Sequence, residues 1–79
     1  MRIFVGNLTR PVTEDDLRQL FEPYGKVEFV QIIADQTSGE AQGFVLMPDD
    51  QKAQAAMAGL QGTQLQGRTL TIHAAHWQW

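Results

Sequence analysis

Two phenylalanines in strand-forming stretches are the residues of this sequence whose type and position most clearly offer chemistry. Phe4 lies in the stretch RIFVGNL, and Phe44 lies in the stretch QGFVLM. Because successive side chains of a strand point to opposite faces, each ring lies on the face opposite its aliphatic neighbours. Flat rings side by side on a sheet suit unpaired nucleobases, since every base has a π-face. The chemistry that these residues predict is stacking on a planar ligand.

Residues that serve catalysis or metal binding do not form a comparable set. The sequence contains no cysteine, which excludes a thiolate metal site and a disulfide framework. No Ser-His-Asp arrangement and no glycine-rich phosphate loop before a helix is present. His73 and His76 have no third ligand beside them, and the acidic run 14–16 fits the start of a helix. We therefore expect a protein that is not an enzyme and holds neither metal nor cofactor.

Length and charge restrict the protein class. The 79 residues are 43% hydrophobic and correspond to one small globular domain. Six Lys and Arg against nine Asp and Glu give a net charge of −3, which by itself argues against a nucleic-acid partner. Apolar runs are too short for a membrane span, and no signal peptide opens the sequence. We expect a cytoplasmic monomer without membrane contact.

The first half of the sequence predicts a strand followed by an amphipathic helix. The strand covers residues 2–8. Thr13 has the features of a helix N-cap, and the acidic residues after it suit the positive end of the helix dipole. One helical face is formed by residues at i, i+3, i+4 and i+7, namely Leu17, Leu20, Phe21 and Tyr24. Gly25 is placed to end this helix.

The second half predicts a hairpin, a second helix and a last strand. Residues 27–33 and 42–47 read as strands joined by the turn-forming segment 35–40, which indicates an antiparallel hairpin. Pro48 and Asp49 begin the second helix, and Gly62 ends it. Its buried face consists of Ala53, Ala56, Met57 and Leu60. A glutamine-rich loop over 63–66 then leads to an alternating strand over 68–74.

The resulting order βαββαβ predicts an α+β, ferredoxin-like domain. Right-handed crossovers place both helices on one face of a four-stranded antiparallel sheet, with the first and third strands adjacent. The face toward the helices takes Ile3, Val5, Val45, Met47, Leu70 and Ile72. The open face takes Phe4, Gln42, Phe44, Leu46, Thr71 and His73. Phe29 and Gln31 join this open face unless a bulge reverses their parity.

These residues resemble two signatures of the RNA recognition motif family. The hexapeptide signature corresponds to residues 3–8, IFVGNL, and the octapeptide signature corresponds in part to residues 42–49, QGFVLMPD. The first-helix pattern over 13–25, the second-helix pattern over 53–62 and the segment 67–72 are also typical of the family. The resemblance covers nearly the whole chain, and the chain is similar to small bacterial proteins that contain a single such motif.

The resemblance implies that Phe4 and Phe44 stack on two consecutive bases of single-stranded RNA. Three departures lower the expected affinity. Gln42 stands where the family usually has a phosphate-binding Lys or Arg, and Leu46 stands where a third aromatic ring is usual. The hairpin segment 35–40 carries no basic residue. The stacked bases supply about 2–6 kcal/mol, so we expect a weak binder.

The expected partner is single-stranded RNA, with single-stranded DNA and a protein partner as further candidates. Available phosphate donors are Arg2, Arg10, Lys26 and Arg68. The residues that we expect to contact RNA are Phe4, Phe44, Leu46, Gln42, Asn7, Arg2, Arg68, Thr71 and His73. A second interpretation remains open at this point, namely a domain of this shape that binds proteins and has lost much of its RNA affinity.

The last four residues form an aromatic tail beyond the motif. We assign residues 1–75 to the RNA recognition motif domain and residues 76–79 to this tail, which contains Trp77 and Trp79. Each tryptophan offers a large apolar area to bury. The tail either extends the stacking surface by one base, covers that surface in competition with RNA, packs on the helix side, or stays free.

Overall fold

The chain folds into alternating strands and helices. The computed structural model describes residues 1–9, 11–35 and 37–75. Its elements in chain order are β1 (Arg2–Thr9), α1 (Glu14–Phe21), a 3-10 turn (Glu22–Tyr24), β2 (Phe29–Ala34), β3 (Glu40–Leu46), α2 (Asp50–Leu60), β4 (Gln64–Leu65), β5 (Arg68–Thr69) and β6 (Thr71–Ala75). The assigned tail at 76–79 lies outside the described residues.

Four of the strands form one sheet in the order β2-β3-β1-β6. All three neighbouring pairs are antiparallel. β1 and β3 are adjacent in the middle of the sheet, as the βαββαβ order predicts. The ferredoxin-like α+β prediction is confirmed.

Side-chain caps begin both helices at the predicted residues. At α1, Thr13 Oγ1 accepts from the backbone N–H of Asp16, and the Asp16 carboxylate accepts from the N–H of Thr13. This reciprocal pair is a capping box. At α2, Asp49 accepts from the N–H groups of Gln51 and Lys52. These carboxylates serve the helix starts, away from the open face of the sheet.

The core lies between the helices and one face of the sheet. Leu17 and Phe21 of α1 are fully buried, and α2 contributes Ala53, Ala56 and Leu60. The strands and the residues that directly adjoin them contribute the six predicted inward residues, all of them buried: Ile3, Val5, Val45, Met47, Leu70 and Ile72. Within the described ranges, no helix is both long and apolar enough to span a membrane.

The predicted strand over 68–74 is wrong as a single element. Leu70 interrupts it because its N–H donates to the carbonyl of Thr63, at 2.8 Å. Residues before the break pair with β4 in a small hairpin, and only β6 joins the main sheet. Left-handed backbone at Gln66 and Gly67 makes the tight turn of this hairpin. Part of the predicted glutamine-rich loop is therefore strand.

Other boundaries shift by a few residues. The second strand begins at Phe29 and not at Val27, and the third begins at Glu40. α1 ends at Phe21, and the 3-10 turn that contains Pro23 separates it from Gly25. Proline fits the first residues of such a turn, where its missing N–H has no partner to lose.

Candidate nucleic-acid interface

A row of four side chains crosses the open face of the sheet. Residue 44 of β3 lies opposite Gln31 of β2 on one side and Phe4 of β1 on the other. Phe4 in turn lies opposite His73 of β6. The sheet therefore aligns Gln31, Phe44, Phe4 and His73, one from each strand, and we call these residues the ring row. The second strand therefore contributes Gln31 to the open face, as the alternation of its side chains predicts in the absence of a reversing bulge.

Three members of the ring row contact one another through aromatic rings. The centroids of Phe4 and Phe44 lie 5.6 Å apart, with an angle of 67° between the ring planes. The centroids of Phe4 and His73 lie 4.8 Å apart, with an angle of 32°. Both separations fall in the range of favourable aromatic pairs. Phe4 is thus held from two sides, and its orientation is set before any ligand arrives.

Phe44 is less exposed than the sequence predicts. Its relative exposure is 8%, whereas Phe4 is only partly buried. The expectation of two exposed rings is therefore wrong for Phe44. The edge contact with the ring of Phe4 covers part of the Phe44 ring. A base that stacks here would meet chiefly Phe4.

Gly6 allows the ring of Phe4 to lie flat along β1. A Cβ atom at position 6 would come 2.8 Å from Cε2 and 3.1 Å from Cζ of Phe4. Immediately beyond it, β1 contains a bulge, and Asn7 has a left-handed φ of 66°. Bulges of this kind re-aim side chains near binding sites. The glycine therefore sets the ring position on which stacking depends.

Gly6→Ala should weaken RNA binding without unfolding the protein. The added methyl group must displace the Phe4 ring, so we expect part of the loss of about 1–3 kcal/mol that one stacked base supplies. RNA titration and thermal melting check this. Gly25→Ala is the matched control, because its Cβ meets only the side chain of Lys52 on the helix side. An unchanged RNA affinity in Gly6→Ala would show that the ring position does not matter.

A second row crosses the face on one side of the ring row. In it, Leu46 lies between Phe29 and Arg2, and Arg2 lies opposite Ala75. Phe29 is 43% exposed, whereas Arg2 is only 8% exposed. Burial lowers the pKa of the Arg2 guanidinium from its usual value, but this group remains charged at neutral pH. That Arg2 contacts phosphate stays a prediction, and its low exposure argues against a large contribution.

On the other side of the ring row, the face opens into a depression of about 390 Å³. Its lining includes Phe4, Ile33, Gln42, Thr71, Asp35 and Glu40. The N–H groups of Thr37 and Ser38 hold the pKa of Asp35 below its usual value. Two carboxylates at the rim disfavour a phosphate inside. Amino groups at the edge of a base are suitable donors to the same oxygens.

Arg68 and Asn7 are engaged with each other beside this depression. Arg68 Nη1 donates to Asn7 Oδ1 at 3.3 Å and lies 4.0 Å from a carboxylate oxygen of Glu40. The amide nitrogen of Asn7 donates to the carbonyl of Thr69 at 2.7 Å. Asn7 therefore ties the β1 bulge to β5, and Glu40 competes with any phosphate for Arg68. This competition lowers the expected affinity further.

Most of the predicted contact residues lie together on the open face. Phe4, Phe44, Leu46, Gln42, Thr71 and His73 share it, whereas Arg68 and Asn7 lie beyond its corner. Ile33 was missed, although it is the most exposed large apolar side chain described, at 53%. The signal was available, because Ile33 has the same parity as Phe29 and Gln31. Arg10 lies outside the described residues.

Comparison with known proteins identifies the family. A family model described as the RNA recognition motif matches residues 3–71. The chain belongs to the RNA recognition motif family. Phe4 and Phe44 of this RNA recognition motif lie on the two central strands of its sheet.

Relatives of this RNA recognition motif are similar over nearly its whole length. The "Putative RNA-binding protein RbpE" of Nostoc sp. (strain PCC 7120) is 40% identical over 77 residues, which cover 95% of this chain and 78% of that protein. A human relative is much larger, and this chain spans 17% of its length.

Solved structures extend the similarity to three dimensions. The crystal structure of RNA-binding protein PG1 is 38% identical, with a TM-score of 0.87, and the match covers 99% of this chain and 96% of that one. A structure of the Sxl-lethal protein in complex with RNA is 28% identical, with a TM-score of 0.79. It covers 94% of this chain and 47% of that one.

Proposed function

We propose that this RNA recognition motif binds single-stranded RNA by stacking bases on the ring row. The observation that carries the proposal is the contact of Phe44, Phe4 and His73 on the face of the sheet opposite the helices. The relative solved with RNA, which has the same fold, supports RNA as the ligand. Single-stranded DNA offers the same π-faces and is a secondary ligand. The function is binding and not catalysis.

The proposed affinity is modest because few cations face the ligand. Arg18 donates to the carbonyl of Val27, and Lys52 belongs to α2, so both lie on the helix side. Arg2 is buried. Among the described residues this leaves Lys26 and Arg68, and Arg68 is already beside Glu40. Phosphate contacts supply much of the affinity of other nucleic-acid binders, so stacking must supply most of it here.

A titration with short single-stranded RNA tests the proposal directly. A pool of random oligonucleotides is added to the labelled protein while amide chemical shifts are recorded. We expect shifts centred on Phe4, Phe44 and His73, with little change at α1 and α2. An absence of shift changes on the sheet face at high RNA concentration would contradict RNA binding. The same absence of shifts would favour the interpretation of a protein-binding domain.

Salt dependence should be shallow and should respond to Glu40. We expect the slope of log affinity against log salt to be about −1 to −3. Glu40→Gln should steepen the slope by up to about 1 and raise the affinity by less than about 1 kcal/mol, because Arg68 is released toward phosphate. Glu14→Gln is the control, since it changes the same charge at the start of α1. Equal effects of both variants would mean that only net charge matters.

We further propose that one chain is the RNA-binding unit and that it acts in the cytoplasm. All members of the ring row come from a single copy, so binding requires no second chain. The tail at 76–79 lies outside the described residues, and the alternatives given for it above stay predictions. The point from which it leaves is described, because Ala75 lies opposite Arg2 at the β6 edge.

A further inference from the structure

The outermost strand β2 has an unusual composition for the edge of a sheet. Its residues 29–34 read FVQIIA, without a charge, a proline or a glycine. Natural sheets usually protect an edge with charges, proline or a bulge, because an edge is a template for another strand. Phe29 and Ile33, the two exposed large apolar side chains among the described residues, both lie on this strand. We call residues 29–34 the β2 edge.

The opposite edge of the sheet is already occupied. Gln61 Nε2 donates to the carbonyl of Ile72 at 2.6 Å, and Gln61 Oε1 accepts from the N–H of Ile72 at 3.3 Å. At Ile72 a side-chain amide thus takes the hydrogen-bonding place of a neighbouring strand. The two edges therefore differ, and β2 is the edge suited to extension.

The hydrogen-bond pattern of β2 determines how another strand would pair with it. The N–H of Asp35 donates inward to the carbonyl of Glu40 at 2.7 Å. Because antiparallel pairing alternates, residues 31 and 33 also bond inward to β3, and Val30 and Ile32 direct their backbone groups outward. A second strand can bond to these outward groups only in a register that places its own outward-directed residues opposite Val30 and Ile32.

We propose that a second copy of this chain pairs antiparallel along the β2 edge, in a two-fold arrangement centred on Gln31. Val30 of each copy then forms a hydrogen-bonded pair with Ile32 of the other. Phe29 of each copy lies opposite Ile33 of the other, as a pair whose side chains approach closely. The two exposed apolar side chains thereby cover each other.

Pairing of the exposed apolar side chains favours this register over its neighbours. In it, Glu28 lies opposite Ala34 and Asp35 lies opposite Val27, so the flanking carboxylates do not face each other. Moving the two-fold centre from Gln31 to Ile32 would place Phe29 of one copy opposite Asp35 of the other. Ile33 would then lie opposite Gln31. Of the two-fold registers that use these outward groups, only the one centred on Gln31 pairs Phe29 of one copy with Ile33 of the other.

The pairing would join two sheets of four strands into one sheet of eight. Residues directly opposite each other share a face, so both ring rows lie on the same side of the extended sheet. About six residues per copy is far below the roughly 20–30 residues of a standard interface. The dimer is therefore weak and depends on concentration, and an RNA long enough to contact both ring rows would strengthen it.

Sedimentation equilibrium without RNA tests the pairing. Between about 10 μM and about 1 mM, the range expected for so small an interface, the average mass should rise from one chain toward two. Concentration-dependent amide shifts should be confined to residues 28–34. Phe29→Glu and Ile33→Lys should each weaken association by at least about tenfold, because each buries an unpaired charge at the edge. Gln54→Lys on the exposed side of α2 is the charge control.

Mixing the two edge variants tests the register. Phe29→Glu in one copy lies opposite Ile33→Lys in the other, so the mixture should associate more strongly than either variant alone. A single-chain mass at every concentration would overturn the proposal, and so would a mixture that shows no recovery. If the edge variants change only RNA affinity, the β2 edge serves RNA and the pairing is wrong. Phe4→Ala should still self-associate, which separates this result from a failure of RNA binding.

Discussion

Replacing Phe4 with alanine should weaken RNA binding by about 5- to 150-fold. This range corresponds to about 1–3 kcal/mol, the contribution of one base stacked on an aromatic ring. Phe4 contacts both Phe44 and His73, so its loss also releases the rings on either side. Isothermal titration with a short oligonucleotide measures the effect. Binding equal to that of the parent would show that the ring row is not the RNA site.

The partner variant at Phe44 requires a different design, because this ring is 8% exposed and its truncation would also lower stability. Phe44→Leu keeps most of the apolar volume and removes the π-face, so its loss of affinity reports on stacking. Phe21→Leu is the matched control, since Phe21 of α1 is fully buried in the core on the other side of the sheet. We expect that control to lower the melting temperature and to leave the RNA affinity of the folded protein unchanged.

Neighbour relations within the site could be predicted from the sequence because they follow from alternation and chain order. A one-residue shift in register would move every side chain of a strand to the other face. The apolar residues of β1 and β3 must face the helices, so Phe4 and Phe44 had to face away from them. The order βαββαβ then makes β1 and β3 adjacent, which brings the two rings together.

Exposure could not be predicted in the same way, because it depends on packing between rows. Arg2 shares the parity of Phe4, yet the surrounding side chains bury its guanidinium. Phe44 is likewise less exposed than its parity indicates. Parity gives the direction in which a side chain leaves the backbone, whereas exposure depends on the size of all its neighbours.

The break at Leu70 illustrates a second limit. Alternation over 68–74 is a correct signal of extended chain, and Leu70 and Ile72 are buried as expected. The N–H of Leu70, however, bonds to the carbonyl of Thr63, which belongs to the preceding loop. The periodicity of residues 68–74 contains no information about the loop residue whose carbonyl accepts this hydrogen bond.

Gly43, between two residues of the open face, connects that face to the packing of α1. It lies in β3 opposite Val5 and Ile32. A Cβ atom there would come 2.5 Å from Cδ1 of Leu17 and 3.2 Å from Cδ1 of Leu8. Both leucines are almost fully buried, so neither has room to move aside. The helix therefore rests on the bare backbone of the strand that carries Phe44.

Gly43→Ala should destabilise the protein by about 1–3 kcal/mol, the usual range for an overpacked core. For a domain of this size the melting temperature should fall by about 5–20 °C. Gln42→Ala is the neighbouring control, because its side chain points to the open face and should leave the melting temperature nearly unchanged. RNA affinity of folded Gly43→Ala should fall far less than that of Phe4→Ala, since the ring row keeps its rings. A melting temperature equal to that of the parent would mean that α1 can lift from β3 at little cost, and that the close approach of helix and strand does not support the sheet beneath the ring row.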